Sequence, residues 1–136
     1  MHKGIKMFIR IFLMVLLIHS SAFANDARLC SSPKALSEEI ADMISDISGT
    51  SVDPMQTRLS PRSLGGLDIR QNNYTRINLK KLFEFSCSLS VFERDYLMDY
   101  ASQATPRDYV LESGEVVQRY LFPTAFEIGL KVFELK

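Results

Sequence analysis

The sequence predicts a small α+β domain in which two helices pack against a mostly antiparallel sheet, with a mainly α-helical fold as the alternative. Two segments show the apolar spacing of amphipathic helices, at about 33–48 and 91–104. Others alternate apolar and polar residues with a period of two, which is typical of half-buried strands. Two helices with four to six short strands suit helices packed on one face of a sheet.

Both predicted helices have N-terminal signals. Ser32 is a good N-cap for the helix at 33–48, and the helix at 91–104 begins with a capping box formed by Ser90 and Glu93. The apolar stripe of the first helix contains Leu36, Ile40, Met43, Ile44 and Ile47. That of the second contains Phe92, Tyr96, Leu97, Tyr100, Ala101 and Ala104.

The strand predictions depend on alternation and on turn residues. Residues 83–91 alternate strictly, although a helix over 79–89 would also collect several apolar residues on one stripe. Residues 67–79 suit a short hairpin around the Gln-Asn-Asn cluster, and 109–117 suit another around Glu-Ser-Gly-Glu. Residues 126–132 alternate again, so we expect a C-terminal strand.

The N-terminus predicts a cleaved export signal at residues 1–24. Three basic residues precede an unbroken apolar run at 11–18, and the segment closes with a small-x-small pattern ending at Ala24. The run is far shorter than the roughly 20 residues of a membrane-spanning helix. We therefore expect a single periplasmic or secreted domain at 25–136, without stable membrane insertion after cleavage.

Cys30 and Cys87 are the only cysteines in the sequence. An oxidising compartment favours pairing them in one disulfide that ties the start of the domain to its middle. A catalytic thiol is the alternative, but it needs a base, normally histidine, and the predicted domain contains none.

Composition argues against several classes of function. Removing the predicted signal leaves 13 basic and 16 acidic residues, a mildly acidic balance that does not suit a general nucleic-acid binder. Both histidines, His2 and His19, lie in the signal. Without histidine and with its cysteines paired, the domain is not expected to assemble a transition-metal site, and no cofactor is predicted.

Two patterns could carry hydrolytic chemistry. Ser31 and Lys34 form a Ser-x-x-Lys motif, but the Ser-Asp-Asn and Lys-Thr-Gly elements that accompany it in penicillin-recognising enzymes are missing. Asp42 and Asp46 lie four residues apart on the polar side of the first predicted helix, where a solvated surface is the simpler interpretation. The chain is therefore not expected to be an enzyme, and no catalytic residue is assigned.

The distribution of charge is uneven. Residues 55–81 have a balance of +5, whereas 25–54 and 82–136 each carry −4. Internal pairing with the acidic segments would explain this, and so would a patch that meets an anionic partner, because clustered arginines steer association. The candidate patch consists of Arg58, Arg62, Arg70, Arg76, Lys80 and Lys81.

These observations predict an exported, non-enzymatic protein-interaction domain. It would be an accessory factor of an envelope assembly such as a pilus, secretion or conjugation apparatus, binding another envelope or secreted protein, with a homo-oligomer also open. One route is strand addition along segment 125–132, if that segment is a sheet edge. An inhibitor or immunity protein whose segment 58–81 plugs an acidic enzyme cleft is the second hypothesis, and a small hydrolase is the third.

Overall fold

The computed structural model describes residues 28–49 and 53–136, so the predicted export signal lies outside the described residues. The described part contains four α-helices, one π-helix and a two-stranded antiparallel sheet, which confirms the α+β class with more helix than expected. In chain order the elements are α1 (Pro33–Ser48), α2 (Asn73–Lys81), the π-helix (Leu82–Ser86), α3 (Val91–Ala101), β1 (Thr105–Val110), β2 (Val116–Leu121) and α4 (Ala125–Leu135).

Helix α1 forms where its sequence signals predict it. The side chain of Ser32 accepts a hydrogen bond from the Ala35 amide, and Pro33 occupies the first turn, where its missing N–H costs nothing. The helix ends at Gly49, whose φ of 66° is the left-handed conformation that glycine adopts without strain. The predicted stripe faces the core, where Leu36, Ile40 and Ile44 are fully buried.

The strand predicted at 126–132 is wrong, because this segment belongs to helix α4. Thr124 caps the helix by accepting a hydrogen bond from the Glu127 amide, and Ile128 and Val132 are fully buried. Every second residue from Phe126 is apolar, but so are residues at helical spacing, and packing against α1 selects the helix.

Helix α4 lies very close to α1 at Gly129. A Cβ atom at this position would lie 3.0 Å from the backbone oxygen of Pro33 and would also overlap the hydroxyl of Ser37. Gly129 lies inside α4, where it costs about 1 kcal/mol relative to alanine in an isolated helix. Its absent side chain lets the two helices approach, which explains a glycine inside a helix.

The strand predicted at 83–91 is also wrong, and the competing helical interpretation is closer. Residues Leu82–Ser86 form a π-helix that continues α2 without a break. Phe83 is fully buried whereas Phe85 is mostly exposed, so the two rings do not share the face that alternation predicted.

The hairpin predicted at 67–79 is replaced by the start of α2. Asn72 is its N-cap, because its side-chain oxygen accepts a hydrogen bond from the Thr75 amide at 3.0 Å. The side-chain amide of Asn72 also donates to the backbone oxygen of Leu64, which fixes the preceding loop. Asparagine favours helix caps as well as turns, so the Gln-Asn-Asn cluster was open to both structures.

Helix α3 is confirmed with its capping box, but the predicted stripe is wrong at Phe92 and Tyr96, which are exposed, while Leu97 and Ala101 are buried. The Ser90 hydroxyl accepts from the Glu93 amide and the Glu93 carboxylate accepts from the Ser90 amide. The helix ends at Ala101, three residues before the predicted end, and β1 begins at Thr105.

Strands β1 and β2 confirm the hairpin predicted at 109–117 and extend it. Val110 pairs with Val116 next to the turn and Thr105 pairs with Leu121 at the far end. In the turn, the Gly114 amide donates to the Leu111 oxygen, with Gly114 at a φ of 86°. A type I turn followed by a left-handed glycine is a common hairpin connection.

The predicted disulfide is present between Cys30 and Cys87. Their Cα atoms are 5.2 Å apart, within the usual range for a disulfide, and both residues are almost completely buried. The bond ties the residues before α1 to the residue after the π-helix, so it fixes the ends of two helical segments on the same core.

Candidate protein-interaction surfaces

The predicted basic patch is divided between internal contacts and exposed side chains. Arg58 donates through Nη1 to the Phe122 backbone oxygen at 2.6 Å, and Arg70 forms an exposed ion pair with Asp99 of α3. Arg62 is exposed in the loop between α1 and α2. Arg70 therefore pairs with an acidic residue, as the internal-pairing hypothesis describes, whereas Arg58 contacts a backbone carbonyl.

The other three basic residues of the patch lie on α2. Arg76 donates to the Asn73 side chain one turn earlier, at 2.9 Å, and Lys80 and Lys81 occupy the last turn. Because the π-helix continues α2 without a break, this turn lies inside the helical segment and not at its carboxyl end. The two lysines are thus placed beside the junction of α2 and the π-helix.

Large apolar side chains also lie exposed on α2 and the π-helix, which together form one continuous helical segment that we call the rod. Tyr74, Ile77 and Phe85 are 54%, 44% and 55% exposed, and Lys81 lies between the last two along the stripe. Steps of three and four residues place all four side chains on one side of the helix. We call these four residues the helix surface. The sequence pattern does not reveal it, because that pattern predicts Tyr74 and Ile77 in a hairpin and Phe85 on a buried strand face.

The charged side chains around the helix surface are mostly basic. Glu84 is the only acidic residue between Asn73 and Ser86, and its carboxylate is paired with Arg94 of α3 at 2.9 Å. Lys80 and Lys81 have no such partner among residues 28–49 and 53–136. The rod therefore presents apolar anchors beside uncompensated cations, and its opposite side, with Leu79 and Phe83, is locked into the core.

The hairpin forms a second exposed surface. Paired residues of an antiparallel ladder lie on the same face, so the register divides the side chains into two sets. One face, which we call the inner face, contacts helix α4 through an ion pair between Arg107 and Glu127. On the same face, Arg119 stacks over the Tyr109 ring at 4.3 Å. The other, which we call the outer face, is exposed at every position: Pro106, Asp108, Val110, Val116, Gln118 and Tyr120.

Of the residues considered for hydrolysis, Ser31 has a backbone hydrogen-bond partner and the two aspartates lie on the surface. The Ser31 hydroxyl donates to the Arg28 backbone oxygen, and no hydrogen bond of the described residues joins it to Lys34. Asp42 and Asp46 are exposed on the outside of α1. Among the described residues, no group of three or more histidine, cysteine or carboxylate side chains could hold a metal ion.

A cavity of about 360 Å³ opens between the start of α1 and the start of α4. Pro54, Met55 and Phe126 give it an apolar floor, and the charged side chains at its rim are Lys34, Glu38 and Asp53. The Asp53 carboxylate is engaged with the Met55 amide at 3.0 Å, so it stabilises the local turn. Ser37 also lines the cavity, and its hydroxyl donates to the Pro33 backbone oxygen.

Comparisons with protein-family models, curated proteins and solved structures find no match for this chain. None of the helices in residues 28–49 and 53–136 has the length and apolar character that crossing a bilayer requires. The helix surface and the outer face of the hairpin are both exposed and are therefore candidate sites for binding a partner.

Proposed function

We propose that this chain is an exported, non-enzymatic protein-interaction domain that docks its helix surface into a groove of another envelope or secreted protein. The observation that carries the proposal is the exposure of Tyr74, Ile77 and Phe85 at helical spacing, beside lysines that form no ion pair within the described part of the chain. Helices commonly bind grooves through apolar anchors spaced in this way. The role that fits such docking is that of an accessory factor in an envelope assembly such as a pilus, secretion or conjugation apparatus.

The fold lowers the cost of docking by holding the helix surface in one conformation. Thr75, Leu79 and Phe83 fix the rod on its buried side, and the disulfide at Cys87 follows it directly. A preorganised helix loses little conformational entropy on binding. Fully burying a large apolar side chain is worth about 1.5–3 kcal/mol, so three half-exposed anchors supply part of that amount each.

The lysines have a different role from the apolar anchors. Lys80 and Lys81 extend the positive potential of the rod toward an approaching partner, which raises the association rate more than the final affinity. We therefore expect an acidic rim around the partner's groove.

A pair of matched substitutions tests the docking site. Ile77→Glu places a carboxylate in the centre of the helix surface, and Leu130→Glu makes the same change on α4 at a nearly equal exposure, 44% against 40%. In capture from the native envelope, wild type and Leu130→Glu should recover the same protein in equal yield. Ile77→Glu should lose at least tenfold, with an unchanged circular dichroism spectrum.

Equal recovery by all three proteins would refute the helix surface as the docking site. Equal loss by both variants would mean that added negative charge, and not this surface, controls capture.

The charge component needs its own variants. Lys80→Glu with Lys81→Glu should slow association with the captured protein and flatten its dependence on salt, because the attraction is screened over about 10 Å at 0.1 M salt. Lys34→Glu, on exposed α1, is the control and should leave the association rate unchanged. An unchanged salt dependence in the double variant would contradict an acidic rim.

The same surface also supports an inhibitor or immunity role, in which the groove is the acidic cleft of an enzyme. The pairing of Glu84 with Arg94 favours this candidate, because it leaves the rod with cations alone to face such a cleft. If the captured protein is an enzyme, stoichiometric addition of this domain should abolish its activity, and Ile77→Glu should not. If the captured enzyme keeps its full activity in the complex, the inhibitor role is excluded and the accessory role is retained.

A further inference from the structure

The outer edge of β2 carries an unpaired set of backbone groups. The Leu111 amide donates to the Glu115 oxygen at 2.8 Å, and this bond fixes the alternation of the ladder. Every second residue of β2 therefore has its amide and carbonyl groups directed away from β1, and these residues are Val116, Gln118 and Tyr120. No strand in residues 28–49 and 53–136 pairs with this edge.

The opposite edge of the hairpin is interrupted. Pro106 lies at an outward-pointing position of β1 and has no N–H to donate, which is a common way of blocking an edge strand. Residues of β2 contain neither proline nor a carboxylate. Beyond β2, the Arg58 guanidinium occupies the Phe122 oxygen, so the open edge ends there.

The sequence of β2 is complementary to itself in one antiparallel register. With Gln118 on a twofold axis, Val116 faces Tyr120 of the second copy on the outer face, and Val117 faces Arg119 on the inner face. A valine beside an aromatic ring is a favourable cross-strand pair. All three outward-pointing residues form hydrogen-bonded pairs, which gives about six main-chain hydrogen bonds.

The two neighbouring registers are less favourable for strand pairing. Sliding the copies by two residues in one direction places Arg119 directly opposite its own counterpart, and like charges in that position are destabilising. Sliding in the other direction pairs Tyr120 with Gly114, which is in the turn at a φ of 86° and cannot continue a ladder. One register therefore combines the longest overlap with no opposing like charges.

We propose that β2 pairs with β2 of a second copy of this chain, so that two hairpins join into a four-stranded antiparallel sheet. A two-stranded hairpin alone is only marginally stable, whereas a sheet of three or more strands with an apolar face has greater stability. The outer faces become continuous, with Val110, Val116 and Tyr120 of each copy on one side. The helix surface is not part of this contact, so dimerisation is independent of the docking proposed above.

Proline substitutions at equivalent outward positions of the two strands provide the test. Gln118→Pro removes an amide from the β2 edge without breaking a β1–β2 hydrogen bond, and Asp108→Pro does the same at the β1 edge. In sedimentation over a range of concentrations, the wild type and Asp108→Pro should form the same dimer, and Gln118→Pro should remain monomeric. A wild type that stays monomeric up to about 1 mM, far above the Kd of a specific dimer, would overturn the proposal.

A charge-pair experiment keeps the proposal testable if the proline variants fail to fold. Gln118→Glu and Gln118→Lys each place like charges opposite each other on the twofold axis, so each should dimerise at least tenfold more weakly than the wild type. Mixing the two should restore a dimer that contains one copy of each. Full dimerisation of either variant alone, or no dimer on mixing, would overturn this register.

Discussion

The packed pair of helices α1 and α4, which we call the body, differs from the hairpin in how far its apolar side chains are buried. In α1 and α4, Leu36, Ile40 and Ile128 are fully buried, whereas Val110, Val116 and Tyr120 of the hairpin are 63%, 58% and 75% exposed. Burial stabilises a fold and exposure does not, so the body supplies its own stability and the hairpin depends on what packs against it.

The difference follows from how each region contacts the rest of the chain. Helices α1 and α4 pack closely along each other, with the disulfide at one end of α1. The Arg107–Glu127 ion pair joins the inner face of the hairpin to α4, and the hydrogen bond between these side chains raises the pKa of Arg107. Breaking the body should therefore cost much more than altering the outer face.

The largest expected effect comes from removing the disulfide. Replacing Cys30 and Cys87 with serine frees a loop of 57 residues in the unfolded chain and should lower the free energy of unfolding by up to about 4 kcal/mol. Denaturant titration of the oxidised wild type and the double variant measures it. A loss below about 1 kcal/mol would mean that the bond contributes little to the body.

The next effect concerns the close approach of α1 and α4. Gly129→Ala adds a methyl group 3.0 Å from the Pro33 oxygen, so it should cost about 1–3 kcal/mol although alanine is the better helix former. Ser37→Ala removes the other clashing atom, and the double variant should recover part of the loss. A neutral or stabilising Gly129→Ala would show that the helices are free to separate.

A smaller effect is expected at the capping box of α3. Ser90→Ala removes the acceptor of the Glu93 amide and should cost about 1 kcal/mol in denaturant titration.

The same cap predicts a pH dependence. Hydrogen bonds from Ser90 lower the pKa of Glu93, so the carboxylate's contribution is present above its ordinary pKa and is lost as the pH falls through the lowered one. Glu93→Gln should flatten the acid limb of the stability curve. An acid limb of equal slope in Glu93→Gln would argue against this cap.

The smallest effect is expected on the outer face of the hairpin. Tyr120→Ser should change the free energy of unfolding of the monomer by no more than about 0.5 kcal/mol, because this ring is already in water. Thermal unfolding at low protein concentration measures it, with Ile128→Ala in the body as the contrasting variant. A large loss from Tyr120→Ser would place the hairpin inside the core.

The parts of the fold that sequence predicted are those with local signals. Helix α1 has a cap and a periodic stripe, α3 has a capping box, and the hairpin has a left-handed glycine at Gly114. Helix α4 and the π-helix were missed because their apolar residues satisfy both periods, and only contact with α1 and the core selects between them.

The candidate surfaces were predicted in part. The basic residues Lys80 and Lys81 were visible in the sequence, but their apolar companions Tyr74, Ile77 and Phe85 were not. An N-cap interpretation of Asn72 would have placed Tyr74 and Ile77 on one helix face and exposed the pattern. Which edge of the hairpin is open depends on the ladder register, which is a property of the folded chain.

Native-state hydrogen exchange, measured in dilute protein, tests most directly the claim that stability resides in the body. We expect the inward amides of Arg107 and Val117 to exchange through local opening, on the order of a hundredfold faster than those of Ile40 and Val132. Equal protection in both regions, at the free energy of global unfolding, would contradict the account and make the hairpin part of one cooperative core.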